Sequence, residues 1–439
     1  MIRILRNNDI DDLMSRLAAR SVALDSDLLA QVTSIIDDVR VRGDEALIEY
    51  TRKFDNVELQ PSELRISEDA LRESAAKVDN ATLAALRVAI GNVRAFHERQ
   101  VEQSWEISPA EGVRLGQKII PLQRVGLYVP GGTAAYPSSI VMNVVPAQVA
   151  QVEHIVVTTP PRTLVESPAV AAALLELNVK EIYAVGGAQS IAALAFGTET
   201  IPRVDKITGP GNKYVAAAKK LLFGVVGIDA IAGPSEIVIV ADQTARGEYV
   251  AADMLAQAEH GEDASAVLIT NDHTLAERVA EELALQIESL PRRAIAQSSL
   301  ENYGAVVLVH TLDEACALVN ELAPEHVEII TSDDDAVAAK IKHAGAIFFG
   351  SYTPEAVGDY LAGPNHVLPT GRTARFSSAL GVYDFVKRTS LLRYSKSAFQ
   401  SVADNVSALA HCEGLAAHAR SAMIRKESLP QRRKGAKEV

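Results

Sequence analysis

From Pro121 onward the chain alternates short β-branched apolar runs with helical patterns, and this alternation constrains the fold more than any other feature. Arg124–Val129 (RVGLYV), Ile155–Thr158, Ile182–Val185 and Ile237–Val240 read as buried strands. Segments 138–150, 168–178, 188–197 and 212–222 between them have helical spacing. A second series continues with helix 246–258, strand Ala266–Thr270, helix 274–288, strand Ala305–Val309, helix 312–320, strand Val327–Ile330, helix 333–343 and strand Ala346–Phe349. Strands separated by helices form βαβ units, so a mainly parallel α/β fold in two domains is predicted. The first 100 or so residues are expected to be helical, and the pattern turns helical again from about Leu380. The tail KESLPQRRKGAKEV is basic and interrupted by proline, and is expected to fray.

Composition excludes several classes of function. A net charge of −13 argues against nucleic acid as the main partner, because phosphate binding needs a basic face. No apolar run approaches the eighteen or so residues of a membrane span. The N-terminus MIRILRNNDIDD lacks the apolar centre of a signal peptide, and two cysteines are too few for a disulfide framework. A cytoplasmic protein is expected. Cys316 reads as a small core residue, and Cys412 has no glycine turn to expose it as a nucleophile. His97 is expected on the surface or at a rim.

Three glycine turns fall where strands should end: Val129-Pro130-Gly131-Gly132, Val185-Gly186-Gly187-Ala188-Gln189 and Thr208-Gly209-Pro210-Gly211-Asn212. Open parallel sheets bind ligands outside the carboxyl ends of their strands, where glycine lets the backbone approach a phosphate. A dinucleotide or other phosphorylated ligand is therefore expected. Gly209-Pro210-Gly211 begins a dinucleotide fingerprint, but Tyr214 stands where its third glycine should be.

The stretch Ile228–Gly261 joins a Gly-Pro-Ser turn (Gly233–Ser235), a strand and an Ala-rich helix ending in Gln257-Ala258-Glu259-His260. Gln257 and His260, three apart, share a helix face. A metal here would have nitrogen and oxygen ligands, which suits zinc, with Asp359, His366 or His418 as lenders. The competing reading is a terminal histidine capping its own helix. Glu325-His326, in a loop stiffened by Pro324, offers two proton acceptors that diverge rather than form a bonded dyad; a plain polar loop is the alternative.

Together, VGLYVPGG, VGGAQSIAALAFGT, ITGPGNKYV, IDAIAGPSEI, QAEHG, APEHVE and GDYLAGPNHVLPT resemble the histidinol dehydrogenase family, from about residue 20 to 425. The resemblance implies two incomplete Rossmann-like domains in an aldehyde dehydrogenase-like architecture. It implies an N-terminal segment (1–23), a discontinuous first α/β domain with the metal and catalytic residues (24–127 and 237–380), an NAD-binding domain (128–236) and a helical dimerisation segment (381–439). It further implies a homodimer with one zinc per active site, held by Gln257, His260, Asp359 and His418, the last supplied across the dimer. NAD contacts fall on Tyr128, Gln189 and Asn212. Ser235, Gln257, His260, His326, Asp359, Glu413 and His418 would surround the substrate.

The implied reaction is the four-electron, NAD-dependent oxidation of L-histidinol to L-histidine through the aldehyde, the last two steps of histidine biosynthesis. His326 is expected to take the hydroxyl proton, and Glu325 to activate the water that hydrates the aldehyde. A zinc and NAD dehydrogenase of the same fold acting on another primary alcohol, such as sulfopropanediol, is the rival reading. Glu413 and His418, in an EGLxxH context, favour a cationic substrate that bears an imidazole.

Overall fold

The computed structural model describes residues 2–6, 9–20, 25–131 and 136–426. Gly132 of the first glycine turn and residues 427–439 of the basic tail lie outside the described residues. The chain divides into two compact units: Met1–Val101 with Pro121–Phe385, and Glu102–Ile120 with Val386–Val439. No described helix is long and apolar enough to cross a membrane.

The first unit holds two sheets whose strands are all parallel. One has six strands in the order Ile4–Arg6, Ala305–Leu308, Ser265–Thr270, Glu236–Ala241, His326–Ile330, Ala346–Phe349. Its side chains sort with period two. Ile237, Ile239, Leu268 and Val306 pack with the helices Gly247–Ala258 and His273–Gln286 on one face. Val238, Val240, Ile269 and Val327 pack with Asp9–Ala19 and Leu312–Leu322 on the other. Helices cover both faces, so these strands read as unbroken apolar runs rather than alternating ones.

The other sheet has five strands in the order Glu181–Ala184, His154–Thr159, Arg124–Tyr128, Lys206–Thr208, Gly227–Ile228. Leu28, Val32 and Ile35, from the helix Ser26–Arg42, share a core with its Tyr128 and Val156 and with Ile191. This differs from the expected division, which gave 24–127 to the metal-bearing half. The helix belongs to the five-stranded half, and the cut at 127/128 falls inside the strand Arg124–Tyr128. The strand Ile4–Arg6, from the expected N-terminal segment, joins the six-stranded sheet by pairing with Ala305–Leu308. An amphipathic pattern shows that a face is buried, not which sheet buries it.

His97 corrects another expectation. It is fully buried, with Nδ1 2.7 Å from Gln100 Oε1 and Nε2 3.3 Å from the Asn365 amide nitrogen. That same nitrogen donates to the Met142 carbonyl at 2.6 Å, so the loop before His366 is anchored to two helices.

The second unit combines three strands, ordered Val386–Tyr394, Val113–Pro121, Trp105–Ala110, with the helices Lys396–Cys412 and Ala416–Lys426. The helical expectation beyond Leu380 missed the strand Val386–Tyr394. It is exposed along almost its whole length, so no face carries the alternation that marks a strand.

Candidate active site

The two sheets of the first unit present opposite ends to one cavity. Pro130, Pro210 and Asn212 line it from the loops that follow strands of the five-stranded sheet. Ser235, Glu325 and His326 line it from the starts of strands in the six-stranded sheet, joined by His260, Glu355 and Asp359. Its volume is about 670 Å³.

Glu325 and His326 owe their position to a tight chain reversal. The helix Leu312–Leu322 ends at Ala323, held in the left-handed region at φ 47°, and Pro324 prevents the helix from continuing. The Ala346 N–H then donates to the Glu325 carbonyl at 2.9 Å, which starts the strand. At Gly345 a Cβ would lie 2.5 Å from that same carbonyl oxygen, so only glycine lets the two segments approach.

The two side chains diverge, as expected. His326 Nδ1 lies 3.7 Å from Glu325 Oε2 but only 3.0 Å from the Glu236 carbonyl. A carbonyl only accepts, so Nδ1 carries the proton and Nε2 keeps its lone pair. Nε2 is buried without a partner within the protein. Burial lowers the His326 pKa to about 4, which keeps the ring neutral and ready to accept a proton. Glu325 is also buried. Desolvation and then the neighbouring Glu236 push its proton affinity well above the usual carboxylate range, opposed by the Glu236 N–H at 3.1 Å and by the Ser235 hydroxyl.

A nitrogen-and-oxygen cluster lies alongside. His260, Glu355 and Asp359 each bring a ligand atom within 4.8 Å of one another. His260 Nδ1 donates to the Ala256 carbonyl at 3.0 Å. The expected helix cap is therefore present, and it also leaves Nε2 as the free donor atom, the arrangement that metal-ligating histidines use. Gln257 continues the buried stripe of Val250 and Met254 and is itself fully buried. With its amide nitrogen toward Glu355, 3.1 Å from both carboxylate oxygens, its carbonyl oxygen is turned away from Glu355. Such a donor set, without thiolate, fits zinc or a similar divalent ion.

Glu355 was missed by sequence reasoning. It lies four residues before Asp359 on the helix Glu355–Tyr360, hence on the same face, and that spacing was the available signal. Desolvation and then Asp359 raise its proton affinity well above the usual range. His366 also lines the cavity, with Nε2 unpartnered within the protein.

Tyr128, Gln189 and Asn212 meet in a second cavity of about 750 Å³, bordered by Gly131 and Gly187. The Tyr128 hydroxyl accepts the Gly187 N–H at 3.3 Å. Asn212 Oδ1 caps the helix Lys213–Leu222, at 3.0 Å from Tyr214 N and 3.2 Å from Val215 N, which leaves its amide nitrogen free. The helices Gly187–Phe196 and Lys213–Leu222 begin at this cavity, so the positive ends of two helix dipoles face it. That surface fits the pyrophosphate of a dinucleotide.

Comparison with known proteins places these features in one family. The sequence pattern of histidinol dehydrogenase matches residues 18–426. The chain is 55% identical over 397 residues to the histidinol dehydrogenase of Geobacillus kaustophilus, covering 90% of this chain and 93% of that protein. It is 54% identical over 399 residues to that of Bacillus subtilis, covering 91% and 93%. The chain belongs to the histidinol dehydrogenase family. The crystal structure of the Elizabethkingia anophelis histidinol dehydrogenase superposes with a TM-score of 0.90 at 35% identity, covering 97% of this chain and 98% of that one. Membership makes the chain a NAD-dependent oxidoreductase, and no relative named here favours the rival alcohol.

Within the histidinol dehydrogenase pattern, the first unit gathers Ser235, His260, Glu325, His326 and Asp359 around one cavity, with Gln257 tied to it through Glu355. Tyr128, Gln189 and Asn212 share the other cavity. Glu413 and His418 belong to the second unit. Glu413 ends the helix Lys396–Cys412, His418 lies in the next helix, and both are exposed.

Proposed function

We propose that the protein oxidises L-histidinol to L-histidine in two successive NAD-dependent steps, as the last enzyme of histidine biosynthesis. His326 carries this reading: its Nδ1 is committed to the Glu236 carbonyl, and its Nε2 is a buried, unpartnered acceptor beside Glu325. Tyr128, Gln189 and Asn212 would hold NAD, which would supply the hydride acceptor, and Gln257, His260 and Asp359 would hold zinc, which would help to orient the substrate. His326 Nε2 takes the hydroxyl proton in the first oxidation. Glu325, a carboxylate of raised basicity, removes a proton from the water that adds to the aldehyde. His326 returns its proton to the aldehyde oxygen as the water adds, and then takes a proton from the hydrate in the second oxidation. Ser235 orients the Glu325 carboxylate throughout.

We further infer that the enzyme is a homodimer in which Glu413 and His418 of the partner subunit complete each site. The second unit supports this, since it exposes Trp105, Ile107, Leu392, Leu409 and Leu415 together with these two polar groups.

Purified protein supplied with L-histidinol should form two NADH per L-histidine, and a chelator should abolish a turnover that zinc restores. Absence of histidinol turnover by the zinc-loaded protein sinks the reading. Mixing His260→Ala with His418→Ala subunits should restore activity at one of the two sites of each heterodimer. No recovery would mean that each chain supplies all of its own ligands.

A further inference from the structure

The main-chain groups of Glu236 hold both residues assigned to proton transfer. Its carbonyl receives His326 Nδ1 at 3.0 Å, and its N–H donates to Glu325 Oε2 at 3.1 Å. Glu236 is also the first residue of its strand, where a ladder restrains the chain least, and it follows the turn Gly233–Ser235.

The Glu236 side chain leads elsewhere. Its Oε1 accepts from Arg20 Nη2 at 3.0 Å, and both residues are buried. Arg20, just beyond the helix Asp9–Ala19, is 216 positions away in sequence and lies with its guanidinium 5.2 Å over the Tyr303 ring. Its Nε and Nη1 are buried without a partner within the protein.

Such a pair is a poor source of stability. Desolvating two charges consumes much of their attraction, and orphaned donors add a further cost. Desolvation accordingly lowers the Arg20 pKa and raises that of Glu236. An apolar pair of similar volume would hold helix and strand together at least as well, so the use of the ion pair lies in where it stands.

We propose that Arg20 and Glu236 are positioning residues: their ion pair anchors the strand start whose N–H and carbonyl aim Glu325 and His326. The pair also balances the Glu236 charge beside Glu325, which the same base needs. This rests on the assignment of proton transfer to Glu325 and His326.

Arg20→Met and Glu236→Gln test it in the zinc-loaded enzyme, with L-histidinol and L-histidinal as separate substrates. Each variant should lose kcat in both oxidations, up to about 100-fold for an ångström-scale misplacement. The KM for L-histidinol and the zinc affinity, read by chelator competition, should stay near those of the parent. Arg20→Lys, which keeps the charge and folds more readily, should recover most of the loss. The double variant should be no worse than the worse single one, since both break one interaction.

Full turnover by both single variants overturns the proposal, as does a double variant whose losses multiply. A loss confined to KM or to zinc affinity does the same. Glu325→Gln and His326→Asn run alongside separate the two claims. If they turn over normally, the assignment of the base fails. If they are inactive while Arg20→Met and Glu236→Gln are not, only the positioning role fails.

Discussion

The two sheets of the first unit solve opposite binding problems with opposite ends. In the five-stranded sheet the carboxyl ends of strands meet the N-termini of the helices Gly187–Phe196 and Lys213–Leu222. Backbone N–H groups and the positive ends of helix dipoles collect there, which suits an anionic cofactor. In the six-stranded sheet it is the amino ends that face the cavity, and these meet a helix C-terminus. The helix Gly247–Ala258 returns against the strand direction and delivers Gln257 and His260. The negative end of a dipole and a set of carboxylates gather at that point, which suits a cation. The rule that ligands sit at carboxyl ends therefore describes the cofactor half. The other half departs from it, because it offers buried side chains of shifted proton affinity and a nitrogen-and-oxygen ligand set rather than main-chain donors.

If that division is right, changes in one half should leave the function of the other intact. The largest effect is expected at Glu325. Glu325→Gln should slow L-histidinal oxidation by roughly 10²- to 10⁴-fold, the range for loss of a general base, while part of the L-histidinol oxidation survives. NAD affinity should not move. Because burial raises the proton affinity of Glu325 and the ionised form does the work, the aldehyde step should weaken as pH falls. Its acid limb should lie above the ordinary carboxylate range and vanish in the variant. Equal slowing of both oxidations would defeat the separation of roles between Glu325 and His326.

Glu355 comes next. Its carboxylate is the acceptor that takes the Gln257 amide nitrogen and so turns the carbonyl away from itself. Glu355→Gln removes that preference, and zinc affinity should fall about 10- to 100-fold, as for other outer-sphere partners of a metal ligand. The exchange Gln257→Glu with Glu355→Gln restores a donor facing an acceptor and should recover much of the affinity. Failure of the exchange, with the single variant still defective, would make Glu355 a direct ligand instead.

How much of this was legible in the sequence follows from what each feature depends on. The strands Glu236–Ala241 and His326–Ile330 were readable because burial on both faces leaves an unbroken apolar run. Val386–Tyr394 was not, because a strand exposed on both faces has no pattern. The glycine turns led to the cavity that Gly131 and Gly187 border, since local backbone geometry demands glycine there. The partners of Glu325 were hidden for the opposite reason. The Glu236 main chain meets it, and Arg20 meets the Glu236 side chain, only through tertiary folding, and nothing in the local sequence of either announces the contact. His97 looked like a surface residue because its partner Asn365 lies 268 positions away.

The smallest effect, and the sharpest test of independence, lies in the cofactor half. Gly209 has φ 110°, and a Cβ there would lie 2.1 Å from the Tyr128 carbonyl oxygen. Gly209→Ala must therefore bear a strained backbone conformation, which costs on the order of 1–3 kcal/mol, and must push the Tyr128 strand end away from its loop. Part of that strain can relax by displacing the loop, so the change should appear as weaker NAD binding and a modest drop in Tm rather than as loss of the fold. Calorimetric titration of NAD gives the first quantity, and chelator competition for zinc provides the control. Zinc affinity should equal that of the parent, because Gln257, His260 and Asp359 all stand on the other half. A parallel fall in zinc affinity would mean that the two halves are coupled through the shared cavity wall at Pro130 and Pro210, and that anion and cation sites are not built independently.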